Sequence, residues 1–189
     1  MNKDFMYGVG KVSINDVAVG YIKKDSFDLN GKKGDIAEIE AEQVPGAAVL
    51  VIPQSNGTIA PKFILIQLKY ENIKELSGGT VHYAKTDTEK KSPIGWSAPS
   101  DIVVLKGWIQ IDLVSGQSIL IPQAIIMSNL GGKLVLKETA ELDCEMKIEQ
   151  PAEGKPWGVY DTASLPADWV SKHIVPKDEL VEVASSKDD

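Results

Sequence analysis

Arginine is missing from this chain of 189 residues: all 20 basic side chains are lysines, set against 27 acidic ones, for a net charge of −7. The bidentate guanidinium fork reads guanine edges and clamps phosphates, so its absence argues against sequence-specific nucleic-acid recognition. The acidic balance repels a phosphate backbone as well. Cysteine occurs once, at Cys144, which rules out an intrachain disulfide framework; its alternating apolar neighbours favour a buried thiol over chemistry. Histidine occurs twice, at His82 and His173, and neither has a second ligand at metal-binding spacing. Aromatics make up only 6% of the chain, and no apolar run approaches the length of a membrane span. The first seven residues lack a basic region followed by an apolar stretch, so no secretory signal is expected and folding in the cytoplasm is. The tetrapeptide 177–180 spells a retention signal, but inside the chain it is coincidental.

Catalytic patterns are absent too. There is no nucleophile elbow, no phosphate-cradling glycine loop ending in Gly-Lys-Ser/Thr, and no dinucleotide fingerprint, since Gly8-Val9-Gly10 leads into a strand. Carboxylates are abundant, but no pair is marked as acid and base. The expectation is therefore a protein that is not an enzyme and needs no cofactor or metal.

What is present is short alternating runs rich in Val and Ile, which favour sheet. The chain length suits one domain with a core. The predicted fold is mainly β, an antiparallel β-sandwich or barrel with one short helix packed on it. The organising stretch is Gly8 to Lys24. With Asn15-Asp16 as a two-residue loop, Ile14 faces Val17, Val12 faces Val19 and Gly10 faces Tyr21, giving one apolar face. Lys11 lies on the opposite face.

From Ile36 to Gln43 the alternation predicts a half-buried strand with Ala37, Ile39 and Ala41 on one face and Glu38, Glu40 and Glu42 on the other. Three glutamates in parallel read as a solvated face, because a metal cage needs converging ligands. Ala47 to Ile52 is a strand buried on both faces or paired with another subunit. Phe63 to Lys69 is a strand, and Tyr70, Ile73 and Leu76 define a short helix capped at Gly78. Val81 to Ser100 is the longest irregular stretch, with Thr86, Asp87 and Lys90 at its centre; Trp96 pins the loop or offers a ligand platform.

Ile102–Leu113 and Ile119–Met127 form a second hairpin about an odd-length loop at Gly116, pairing Leu113 with Ile119 and Ile111 with Ile121. Pro122 belongs at an edge or a bulge. Leu130-Gly131-Gly132 turns the chain, and Leu134 to Ile148 reads as one long strand with a bend or bulge near Glu138. Residues 1–150 form the main domain. Residues 151–189 form an extension with a short helix starting near Ser164, folded back by Trp157 and Trp169, and a frayed end.

The hairpin Gly10-Lys11-Val12-Ser13-Ile14-Asn15-Asp16-Val17-Ala18-Val19-Gly20-Tyr21-Ile22, the strand Glu38-Ile39-Glu40-Ala41-Glu42-Gln43-Val44-Pro45, the short helix after a strand, the long polar loop and the strand pairs up to Ile148 together resemble the tail tube (major tail) proteins of bacteriophages. These are related to the inner-tube proteins of contractile injection systems. The resemblance covers most of Tyr7 to Ile148 and lies in order and pattern. It implies a virion structural protein, assembled in the host cytoplasm into hexameric rings that contact other tail components, with DNA passing non-specifically through the lumen. It places Lys11, Asn15, Asp16, Glu38, Glu40 and Glu42 on or behind the tube wall and Thr86, Asp87, Lys90 and Trp96 against the next ring. The competing reading is a monomeric carbohydrate-binding β-sandwich using Trp96 as its platform.

Overall fold

The computed structural model describes residues 4–40, 42–43, 46–84, 92–177 and 182–184. The fold opens with β1 (Val9–Ile14) and β2 (Val17–Ala18), then β3 (Ile36–Ile39), β4 (Leu50–Pro53) and β5 (Lys62–Leu65). Helix α1 (Tyr70–Ser77) leads into β6 (Thr80–Tyr83) and β7 (Pro93–Ser97), followed by the long strands β8 (Leu105–Leu113), β9 (Gln117–Val135) and β10 (Glu138–Ile148). Next come β11 (Gly158–Asp161), a 3-10 turn at Thr162–Ser164 and α2 (Ala167–Lys172).

The main sheet is antiparallel in the order β2-β1-β8-β9-β10-β5, with β11 also on β9. Its two ends are joined. The segment leaving β2 runs along the free edge of β5, bridging Ile22 to Leu65 and Asp28 to Lys62. Backbone bonds from Lys23 N to Ile64 O (2.8 Å) and Ile66 N to Tyr21 O (3.0 Å) seal that seam. The sheet therefore closes into a small barrel, which satisfies edges that would otherwise stand open.

Side-chain parity fills the interior. Val12 and Ile14 of β1, Ile109 and Ile111 of β8, Ile119 and Ile121 of β9, and Leu142, Cys144 and Met146 of β10 are all buried in one core. In β9 the inward positions then change parity, to Ala124 and Ile126. The register shift against β8 supplies the extra residue at Pro122-Gln123, opposite Trp108. Pro122 thus sits at a bulge inside a central strand, where its missing N–H costs the ladder least. Burial pushes the Cys144 thiol up to about 12, with Asp143 adding to it, so this sulfur is inert packing.

The outward face of β8 and β9 carries a second core. Trp169 of α2 is 2% exposed and packs with Leu120 and Val175, flanked by Trp108, Tyr160 and Leu165. Its indole N–H donates to Gln110 Oε1 (3.0 Å), and Gln110 in turn donates to Asp112 Oδ1 (2.8 Å). Trp169 meets Trp108 edge-on at 5.7 Å, and His173, the left-handed cap of α2, stacks on Trp108 at 3.9 Å. The C-terminal segment is therefore part of the same sheet and body, through β11 and this cluster. Helix α2 begins at Ala167 with Pro166 as its N-cap, so Ser164 belongs to the preceding 3-10 turn.

Several sequence expectations need correction. The first hairpin has the predicted register, Ile14 opposite Val17, with Asn15 and Asp16 at φ 48° and 67° as a type I′ turn requires. Its second strand ends at Ala18, however, and Tyr21 is 71% exposed because Gly20, at φ 96°, turns the chain toward β5. The β8–β9 loop is odd, but it is the three residues Val114 to Gly116, so Ile111 faces Ile119 and Ile109 faces Ile121. Gly116 closes this loop at φ 90° rather than occupying its centre. Residues 102–104 precede β8 and are exposed. The chain does not turn at Leu130-Gly131-Gly132: β9 runs on to Val135 and turns at Leu136-Lys137, which divides the strand expected from Leu134 to Ile148, while the bulge expected near Glu138 is present as a register shift between Glu138 and Ala140.

Candidate assembly surface

Two ribbons leave the barrel. The first is the β3–β4 arm. These strands pair with each other and, among the described residues, with no other strand. The expected strand to Gln43 ends at Ile39, and its apolar file is uncovered. Directly opposed residues share a face, so Ala37, Ile39, Leu50 and Ile52 make one wholly apolar surface, and Ile36, Val51 and Pro53 make the other beside Glu38. Ile39, Leu50 and Val51 are each 50% exposed, which overturns the first of the two expectations for Ala47 to Ile52, burial on both faces within this chain. The base of the arm is clamped: Gln54 N donates to Asp35 O (2.8 Å), and Asp35 N donates to Ser55 Oγ (2.9 Å).

The second ribbon is the end of β9–β10. Pairing of β9 with β8 stops at Ile126, and β5 covers β10 only from Leu142 to Glu145. Beyond these points, 131–135 and 138–141 run on as two strands. Leu134 is 83% exposed, and Leu136 at the turn is fully exposed. Lys133, Lys137 and Glu138 flank them and are exposed. Sequence reasoning missed this tip. The available signal was an apolar triplet, Leu134-Val135-Leu136, with lysines at 133 and 137.

The predicted surface residues fall on three different sheets. Lys11 is exposed on β1 opposite Asp112. Asn15 and Asp16 form the first turn, but Asn15 is used internally: its N–H donates to Trp108 O and its Oδ1 accepts from Trp108 N, both at 3.2 Å. Glu38 lies on β3, with Glu40 and Glu42 exposed beyond it. Thr86, Asp87 and Lys90 lie outside the described residues. Within the stretch expected to be irregular, 81–83 and Pro93–Ser97 are strand, forming the β6–β7 hairpin that pairs Thr80 with Ser97 and Val81 with Trp96. Trp96 is half-buried and donates its indole N–H to Gly78 O at 2.8 Å, so it pins this hairpin to the end of α1. Gly79, at φ 85°, admits that approach, since a Cβ there would lie 2.9 Å from the indole nitrogen and still closer to Ser97 O. The helix itself is as predicted, with Ile73 and Leu76 buried and Gly78 N donating to Lys74 O (2.8 Å).

Nothing in the described part gathers reactive groups. No cluster of three or more His, Cys, Asp or Glu is placed to hold a metal ion among the described residues. No helix among them is long and apolar enough to cross a membrane. A cavity of about 430 Å³ opens beside the N-terminal segment; it is lined by Val9, Ile22, Phe27, Leu29 and Ile119, with Lys23 and Asp25 also on its wall. Hydrogen bonds from Lys106 and then Gln123 hold the Glu149 carboxyl below the ordinary carboxylate range. A carboxyl lowered in the folded state stabilises the fold above its ordinary value and loses that contribution as pH falls through the lowered one. The urea midpoint of Glu149→Gln is thus expected below wild type at about pH 7, with a smaller gap at about pH 3. An equal gap at both pH values would exclude the charge-assisted bonds as its source.

No family model matches the chain, and no curated protein matches it in sequence.

Proposed function

We propose that this chain is a structural subunit that self-assembles into rings, hexameric by the resemblance, which stack into a phage tail tube. The observation that carries the reading is the β3–β4 arm. One face is wholly apolar, the other apolar but for Glu38, the large apolar side chains are about half exposed, and the outer backbone edges are unpaired among the described strands. An isolated two-stranded ribbon is marginal in water, and open edges of this kind accept another chain. A contact between copies would supply the missing cover. The acidic, arginine-free composition suits a lumen along which DNA slides without being held. In this reading the protein resides in the virion and meets other tail components at the tube ends. The carbohydrate reading gains no support from Trp96, whose N–H is already committed to Gly78.

Negative-stain microscopy of the concentrated protein, paired with sedimentation velocity, tests the proposal. Rings or tubes of uniform width are expected. A monomer at every concentration, with sugar-dependent quenching of tryptophan fluorescence, would establish the competing reading instead.

A further inference from the structure

Resting on the self-assembly reading, we infer that the β3–β4 arm of one copy seats on the β9–β10 tip of the next. Both ribbons expose apolar side chains that no other described strand covers, but the arm is purely acidic whereas the tip presents lysines. Residues 35–54 carry Asp35, Glu38, Glu40 and Glu42 and no lysine. The tip carries Lys133 and Lys137, with Glu138 at the exit of its turn and Glu141 already paired with Lys23 at 2.6 Å. Glu38, Glu40, Glu42, Lys133 and Lys137 are exposed, and none has an ion-pair partner among the described residues. Arm against arm would set carboxylates beside carboxylates, and tip against tip would set pairs of lysines facing each other with one free carboxylate apiece among the described residues. Arm against tip gives the largest excess of opposite charge at the rim of the buried apolar surface.

The backbone agrees. β3 and β4 each keep an outer edge, and β10 keeps one between Glu138 and Glu141, beyond the reach of β5. One ribbon can therefore extend the other by strand addition. Because the two surfaces lie at different places on one chain, the contact is heterologous, and it propagates into rings or filaments instead of stopping at a dimer.

Charge reversal decides it. One variant carries Glu38→Lys, Glu40→Lys and Glu42→Lys; the other carries Lys133→Glu and Lys137→Glu. All five sites are exposed, so melting by circular dichroism is expected to match wild type. Each variant alone is expected to need at least about tenfold more protein to assemble in sedimentation velocity. Mixed in equal amounts, the two variants are expected to co-assemble near the wild-type concentration, in strict alternation, because each arm then meets a tip of opposite sign. Wild-type assembly that survives both reversals, or that responds to the arm variant alone, overturns the arm-to-tip contact and leaves self-assembly standing. A wild-type chain that stays monomeric, or that floats with phosphatidylcholine vesicles in place of associating with itself, overturns both.

Discussion

Trp169→Ala is expected to lower the unfolding free energy by about 3–5 kcal/mol, a loss on the scale reached when a large buried aromatic is emptied from a core. Trp169 is among the largest fully buried side chains of the molecule and holds α2 on the outer face of β8 and β9. Truncation empties the space between Leu120 and Val175, removes the edge-on contact with Trp108 at 5.7 Å and strands Gln110 Oε1. Trp169→Phe separates these effects. It keeps an aromatic ring but not the donor, so it is expected to cost about 1–3 kcal/mol, the penalty for a buried acceptor left unpaired. Urea unfolding followed by near-ultraviolet circular dichroism measures both. If alanine costs under about 1 kcal/mol, the C-terminal segment is a loose appendage and the outer core does not carry stability.

The second large effect concerns assembly and spares the fold. Replacing residues 36–53 by Asn-Gly is expected to leave a folded monomer with the wild-type melting temperature and to raise the concentration needed for assembly by at least about 100-fold, equivalent to roughly 2.7 kcal/mol. The site of the cut is dictated by the clamp at the arm's base, where Asp35 O already accepts from Gln54 N and Ser55 N. A two-residue turn spans that gap without disturbing the barrel, because β3 and β4 pair only with each other among the described strands. The loss follows from removing side chains such as Ile39, Leu50 and Val51, each of which stabilises a contact by up to about 1.5–3 kcal/mol when covered. Analytical ultracentrifugation of the deletion variant is the measurement. Assembly at the wild-type concentration would move the interface to another surface; loss of the folded state would make the arm a part of the barrel's own stability.

The parts of the fold that were legible in the sequence are those where local chemistry and side-chain parity agree. Asn15-Asp16 gives both the turn and the register of β1–β2. Tyr70, Ile73 and Leu76 with Gly78 give α1 and its end. The mainly antiparallel β architecture with one short helix packed on it follows from the Val/Ile alternation. Misreadings arose where glycine served a bulge instead of a turn. Gly132, at φ 88°, lies beside the register shift within the tip, while the actual turn, Leu136-Lys137, has neither residue at positive φ and so carries no Gly or Asn signature. The β6–β7 hairpin escaped because its return strand contains Pro93 and Gly95, both depleted in strands, and is held by Trp96 bonding to the end of a helix. The arm was half legible: alternation announces a strand at Ile36, but alternation alone does not say whether an apolar face is covered. That depends on which strands reach it, and among the described strands only β3 and β4 reach each other.

The strand order also sets a clock on synthesis. Ile14 pairs with Ile109, and Leu65 with Leu142, so the N-terminal strands emerge from the ribosome well before their partners exist. At about 5–20 residues per second, β1 waits roughly 5–20 s for β8. The β8–β9–β10 meander joins neighbours through short loops and closes quickly once made, and only then can it take β1 on one side and β5 on the other to shut the barrel. The β1–β2 hairpin and then the β3–β4 arm pair locally and are synthesised before any strand of the meander. A chain built in this order has its arm residues synthesised before its barrel is shut, so under the proposed arm-to-tip contact a nascent copy can offer its arm to the finished tip of a released copy while its own tip is still unmade.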